Sequence, residues 1–207
     1  MGEERIGSYR IVRKLGQGGM GEVFEAVHET IERRVAIKLL RPERARNAAA
    51  AARFFNEARA VNRIDHPGLV QVSDYGETPE GSIYIVMELL RGETLGQRLA
   101  RRGRLALGEV LLLCRQVASV LVAVHEKGII HRDLKPDNMM FVPDPDTAGG
   151  ERVKLLDFGI AKLTLEGDAA RVRTSTDMLI GTPVYMSPEN RTPKLSDGGF
   201  PQIGAGD

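Results

Sequence analysis

Strand-like text fills roughly the first ninety residues and helix-like text follows, and the switch at 90–92 constrains the fold more than any single residue does. Over 9–40, three short β-branched runs, YRIVRKLG, GEVFEAV and RRVAIKLL, alternate with turn residues, the pattern of a three-strand antiparallel meander. Pro42 ends it. Over 47–64, Phe54, Phe55, Ala58, Val61 and Ile64 recur at three- and four-residue spacing, which predicts an amphipathic helix with an alanine-rich start. His66-Pro67 marks a turn, after which LVQVSDYG and SIYIVMELL read as two strands joined through TPEG.

Beyond Gly92 the texture changes. Residues 95–104 form a short arginine-rich helix, and 106–127 a long apolar one that Gly128 closes. MMFV and VKLL are short strands separated by a polar hairpin loop, PDPDTAGGER. Residues 157–189, rich in Thr, Ser, Asp and Gly, carry little periodicity and read as a long functional loop. The sum is an α+β chain of two lobes with a cleft between them. The expected division is a small lobe at 9–90 (antiparallel sheet plus one helix), part of a large lobe at 91–189, and an irregular tail at 190–207.

Composition narrows the function classes. Lys+Arg 29 against Asp+Glu 28 leaves a net charge of +1, so overall charge favours neither nucleic acid nor an anionic membrane surface. The single cysteine, Cys114, cannot form an internal disulfide, which suits a reducing cytoplasm. No apolar run near the N-terminus reads as a signal peptide. The most apolar window, 105–125, contains Glu109, Arg115 and Gln116, and it reads as a buried helix of a soluble domain and not as a membrane span. The arginines at 91, 98, 101, 102 and 104 read as a solvated helix face.

Gly16, Gly18 and Gly21 form GxGxxG, a weak signal alone. A dinucleotide fold would need a helix after the glycines, whereas GEVFEAV alternates like a strand. A flap between two strands, whose backbone N–H groups cover phosphates, fits better. Lys38 in VAIK and Glu57 on the 47–64 helix are each unremarkable singly, but a helix carboxylate can hold a strand lysine against nucleotide phosphates. The most specific run is HRDLKPDN at 131–138. Asp157-Phe158-Gly159 follows Asn138 by 19 residues, and Ser187-Pro188-Glu189 comes 30 residues after Asp157.

In this order and at these spacings the motifs resemble the eukaryotic-like protein kinases, over about residues 9–189. Lys135 and Pro136 in the catalytic loop, with Gly181-Thr182 before SPE, resemble the serine/threonine class, and KLGQGGMGEV and YMSPE resemble its bacterial members. The resemblance implies transfer of the γ-phosphate of ATP, with Mg²⁺, to Ser or Thr hydroxyls of a protein substrate. Lys38 would hold the α- and β-phosphates, positioned by Glu57; Asn138 and Asp157 would be the Mg²⁺ ligands; Asp133 would orient the attacking hydroxyl and take its proton; Lys135 would face the γ-phosphate. Gly16, Gly18 and Gly21 would cover the phosphates. Adenine would lie between Val23 and Ala36 on one side and Met140 on the other, with Met87 at the back and the backbone of Glu88 and Leu90 at its edge. A stack of Val61, Val72, His131 and Phe158 would tie the 47–64 helix to the catalytic loop. Thr174 and Thr176 stand where a phosphorylated loop residue would neutralise Arg132.

After SPE the resemblance ends. NRTPKLSDGGFPQIGAGD breaks the anchoring helix that the family would place there, and the partner arginine that the family would supply for Glu189 has no candidate downstream. The sequence therefore predicts an incomplete large lobe whose long apolar helix exposes a surface for a partner to cover. The competing reading is a catalytically impaired fragment that binds a nucleotide or a partner.

Overall fold

The computed structural model describes residues 4–18, 21–40, 62–131 and 133–157, together with Phe55, Arg59 and Tyr185. Among these, six strands form one antiparallel sheet: β1 (Arg5–Ile6), β2 (Tyr9–Gln17), β3 (Gly21–His28), β4 (Arg34–Leu40), β5 (Val72–Glu77) and β6 (Ile83–Glu88), in the spatial order β1-β2-β3-β4-β6-β5. The expected meander is β2-β3-β4. The sheet begins earlier than expected, at Arg5, because two residues of β1 pair with Tyr9 and Arg10; a run that short carries no readable alternation.

Register decides what the sheet offers to the cleft. Val23 lies opposite Lys38, Glu25 opposite Ala36, and Ala36 opposite Met87, so these five share one face, since directly opposed residues point the same way. The other face carries Ala26, Val35, Ile37, Tyr84 and Val86, which pack with Ile6 and Tyr9 into an upper core. Leu40, Ile83 and Ile85 make a smaller cluster with Phe55 and Val72. Phe55, Arg59 and Asn62 are helical, as the 47–64 period predicts; Val61 lies outside the described residues.

A second sheet, β7 (Glu93–Thr94), β8 (Met139–Pro143) and β9 (Glu151–Leu155), carries the lower lobe with α1 (Leu95–Arg102) and α2 (Leu107–His125). Thr94 caps α1: its hydroxyl accepts the Gln97 N–H and the Gln97 side chain accepts the Thr94 N–H, a reciprocal capping box. Glu109 does similar work at the start of α2 by accepting the Ala106 N–H at 3.0 Å. The chain turns out of α2 through Gly128, whose φ of 70° suits glycine. At Gly92 the constraint is close approach, because a Cβ there would fall 1.8 Å from the Phe141 carbonyl oxygen.

By length and composition α2 could cross a membrane. In this structure Leu113, Val117, Val120 and Val124, at spacings of four, three and four, enter the lower core with Leu69, Leu95, Phe141, Val153 and Leu155. Burying each such side chain is worth about 1.5–3 kcal/mol. The reading of α2 as a buried helix needs correction: only one stripe is buried. Leu107 (75%), Leu111 (62%) and Val122 (57%) are exposed, and Cys114 with them. That agrees with the expected apolar surface.

Arg91, Arg101, Arg102 and Arg104 are exposed, as the solvated-face reading expects, and Arg98 alone departs from it. It is 7% exposed and stacks 3.8 Å above the Phe141 ring. Its guanidinium donates to Glu93 at 2.8 Å and, through two nitrogens, to Glu151 at 2.8 and 2.7 Å. The carboxylates hold its pKa above the ordinary arginine value, Glu151 foremost. Arg98 lies one turn from Leu95 and beside Leu99, on the buried side of α1, which is why it meets the core instead of water.

Candidate functional site

A cleft of about 830 Å³ lies where the upper sheet, the linking segment 89–92 and the lower sheet meet. Gly16, Val23, Ala36, Lys38, Met87, Glu88, Leu90, Met140 and Asp157, all singled out from the sequence, line it. Leu15, Val70 and Leu156 add apolar surface that sequence reasoning passed over; Leu15 alone carried a signal, as an apolar residue placed directly before the first glycine.

The three glycines differ. A Cβ on Gly16 or Gly18 would meet nothing within 4 Å, whereas one on Gly21 would stand 2.0 Å from the Leu39 carbonyl oxygen. Gly21 is thus required by β4 packing, and Gly16 and Gly18 leave an open backbone. The Gly18 N–H donates to the Gly21 carbonyl at 2.9 Å, which closes the β2–β3 hairpin as a flap.

Glu25 faces the cleft beside Val23 and was not anticipated. Its buried carboxylate accepts from Arg34 Nη1 at 2.7 Å and Arg13 Nε at 2.8 Å. Those bonds, the Arg34 bond first, hold its pKa below the usual carboxylate range despite burial.

At the inner end of the cleft, Lys38 Nζ meets Asp157 Oδ1 at 2.5 Å, joining residues 119 apart in sequence. The Lys38 side chain is 11% exposed and that of Asp157 57%, so the cation comes from the wall and the carboxylate from the solvent side. Asp157 has a φ of 45°, a left-handed backbone that a residue with a Cβ seldom adopts. Such strain is typical of functional positions. Leu156 sets that position from both sides: its N–H donates to the Asn138 carbonyl at 2.9 Å, and its carbonyl accepts from His131 Nε2 at 3.1 Å.

His131 is 2% exposed. Because Nε2 must donate to a carbonyl, its proton sits there, and Nδ1 faces the Asp133 N–H at 3.4 Å. Burial is the leading reason that its pKa lies below the ordinary value. Asp133 and Asn138 lock together, with Asn138 Nδ2 donating to the Asp133 carbonyl at 2.8 Å and to its Oδ2 at 3.0 Å. Lys135 Nζ stands 3.2 Å from the same Oδ2. The engaged Nδ2 leaves Oδ1 as the amide's acceptor atom, so Asn138 and Asp157 present hard oxygen donors of the kind a Mg²⁺ ion takes. The residues fit such an ion.

Glu57, Val61, Arg132, Phe158, Thr174, Thr176 and the 187–189 motif lie outside the described residues. Of the expected stack, Val72 and His131 are described, Val72 beside the small Leu40 cluster and His131 against Leu156.

The model of the protein kinase domain matches residues 9–194. The chain is 43% identical over 183 residues to the serine/threonine-protein kinase pkn2 of Myxococcus xanthus, covering 88% of this chain and 21% of that protein. To the serine/threonine-protein kinase PknA of Mycobacterium tuberculosis it is 43% identical over 187 residues, covering 88% of this chain and 41% of PknA. The chain therefore spans less than half the length of these relatives. The crystal structure of the Mycobacterium tuberculosis PknI kinase domain superposes with a TM-score of 0.63 at 34% identity, covering 76% of this chain and 62% of that one. The curled antiparallel sheet over a helical lower lobe, the cleft between them and these matches lead to one conclusion: the chain belongs to the protein kinase family.

Proposed function

We propose that this chain transfers the γ-phosphate of ATP to Ser or Thr hydroxyls of a protein substrate. The protein kinase family generally uses ATP and Mg²⁺. The observation that carries the reading is the meeting of Lys38 with Asp157 at the inner end of an apolar cleft, beside the locked Asp133–Asn138 pair.

Adenine is apolar on both faces and polar at its edge, which suits Val23 and Ala36 above, Met140 below, Met87 behind, and the backbone of Glu88 and Leu90. Gly16, Gly18 and Gly21 shape the flap over the phosphates. Lys38 exchanges its carboxylate partner for the α- and β-phosphates, and Glu57 is the residue expected to position it. Asn138 and Asp157 would hold Mg²⁺, which would supply neutralisation of phosphate charge. Asp133 accepts the hydrogen bond of the substrate hydroxyl and orients it. As that oxygen bonds to the γ-phosphorus, the bond to the ADP oxygen breaks and the hydroxyl proton passes to the Asp133 carboxylate. Lys135 lies beside Asp133, where negative charge on the transferring group needs a cation. Phosphorylation of Thr174 or Thr176 would supply negative charge to neutralise Arg132.

The exposed stripe of α2 favours a second reading, a module that binds nucleotide and a partner covering that stripe without turnover. Calorimetric titration with ATP, with and without Mg²⁺, tests the shared first step. Asp157→Asn should keep the fold, since asparagine tolerates a left-handed backbone, and lose the Mg²⁺ enhancement of binding. Equal ATP affinity with and without Mg²⁺ in the unsubstituted chain would count against both readings of the site.

A further inference from the structure

Lys154 and the side chain of Glu88 have no part in the chemistry above, yet they meet at the junction of the lobes. Lys154 lies on β9 between Val153 and Leu155, both 1% exposed in the lower core, so strand alternation turns its side chain the other way. Its Nζ donates to Glu88 Oε1 at 2.6 Å and to the Leu69 carbonyl at 3.1 Å. The same Oε1 accepts the Gln71 N–H at 2.9 Å, while the Glu88 N–H donates to the Gln71 carbonyl at 3.0 Å. Three segments converge on one carboxylate oxygen: the last residue of β6, the 69–71 segment and the strand that ends two residues before Asp157.

The 68–71 segment is already fastened from below. The Leu155 N–H donates to the Gly68 carbonyl at 2.8 Å, Leu69 bridges Leu155, and a Cβ on Gly68 would press on Val120 at 2.4 Å. What remains to be set is the position of Glu88, the last residue of β6 before the linking segment, relative to that block. An apolar contact there would be as adhesive but not directional. A charged pair at 12% and 26% exposure gives up part of its hydration for a single fixed geometry.

We propose that Lys154 is a positioning residue: through Glu88 it latches the linking segment to the strand carrying Asp157, and the latch sets how tightly the cleft holds a nucleotide. This rests on the nucleotide-binding reading above.

The test uses the 207-residue chain as Lys154→Met, Glu88→Gln, the double variant and Lys154→Arg. Two quantities are read: Mg-ADP affinity by calorimetry, and hydrogen exchange of the Gln71 and Glu88 amides without nucleotide. The latch predicts a loss of affinity of about three- to tenfold in either single variant, no further loss in the double variant, and recovery of most of it with arginine. It also predicts faster exchange at both amides in the two single variants. Unchanged affinity in Lys154→Met, or losses that multiply in the double variant, would overturn it. Should Lys154→Met not fold, Glu88→Gln preserves side-chain shape and yields the same pair of readings. If the unsubstituted chain binds no Mg-ADP, the proposed function fails on its own, and amide exchange decides the latch: rates unaltered by the substitutions overturn it.

Discussion

Among the described residues two cations, Arg98 and Lys38, are buried, and their surroundings differ in one respect. Arg98 is enclosed by what it needs: a carboxylate on β7, a bidentate carboxylate on β9 and an aromatic face beneath. Lys38 is buried to a similar degree but meets the mostly exposed carboxylate of Asp157 on the wall of an open cleft. Burying a charge is costly unless paired partners compensate. Where they surround it, the result is fixed structure. Where a partner is shared with solvent, the pair can be rearranged by an anionic ligand. The contrast separates a cation that holds the fold from one that handles a ligand, although both read as lone basic residues in the sequence.

Substitutions at the two cations should therefore fail in opposite ways. Lys38→Met should lower phosphate transfer at least about 100-fold while changing thermal stability by less than about 1 kcal/mol, as measured by initial rates and by melting. A melting point that collapses with the rate would erase the distinction. Arg98→Met should destabilise the chain by about 2–3 kcal/mol in denaturant unfolding, less than a wholly enclosed pair, because the Glu151 side chain is 40% exposed. Its nucleotide affinity should stay within about twofold below the melting transition. Arg98→Lys loses the bidentate fork and should cost about 1 kcal/mol by the same unfolding measurement.

The smallest effect concerns pH. His131 is held neutral, with a pKa below its ordinary value near 6.5. Above that value neither folded nor unfolded chains bind the proton. As pH falls below it the unfolded chain protonates first, so stability declines until the folded-state pKa is passed. His66, whose pKa burial chiefly lowers, acts in the same direction. Denaturant midpoints between pH 7 and 5 should fall in the unsubstituted chain and flatten in His131→Gln; identical slopes would show that His131 is not held neutral by the fold.

How legible each part was follows from the range of the interactions behind it. β2 and β3 were readable from local alternation, and β4, β5 and β6 as short strand-forming runs between turn residues, β4 and β6 being buried on both faces. The cleft lining followed from the family resemblance that the motifs carry. Arg98 was misjudged because Glu151 lies 53 residues away, though its place on the Leu95–Leu99 side of α1 was a usable signal. Gln116 is a similar case. A polar residue amid the buried stripe of α2, it accepts the Val153 N–H at 2.8 Å and donates to the Glu151 carbonyl at 3.1 Å, satisfying the backbone of β9. The left-handed backbone of Asp157 and the Lys154–Glu88 latch depend on how the two sheets meet, and no window of sequence contains that.

The most direct test of the account is transfer of label from γ-labelled ATP to a serine- and threonine-bearing protein, comparing the unsubstituted chain with Asp133→Asn. Asparagine retains a carbonyl oxygen to accept from Asn138 and cannot take the hydroxyl proton. The account predicts Mg²⁺-dependent labelling by the unsubstituted chain and its loss in Asp133→Asn with ATP binding preserved. Labelling that persists undiminished in Asp133→Asn, or ATP binding with no transfer by either chain, would contradict it.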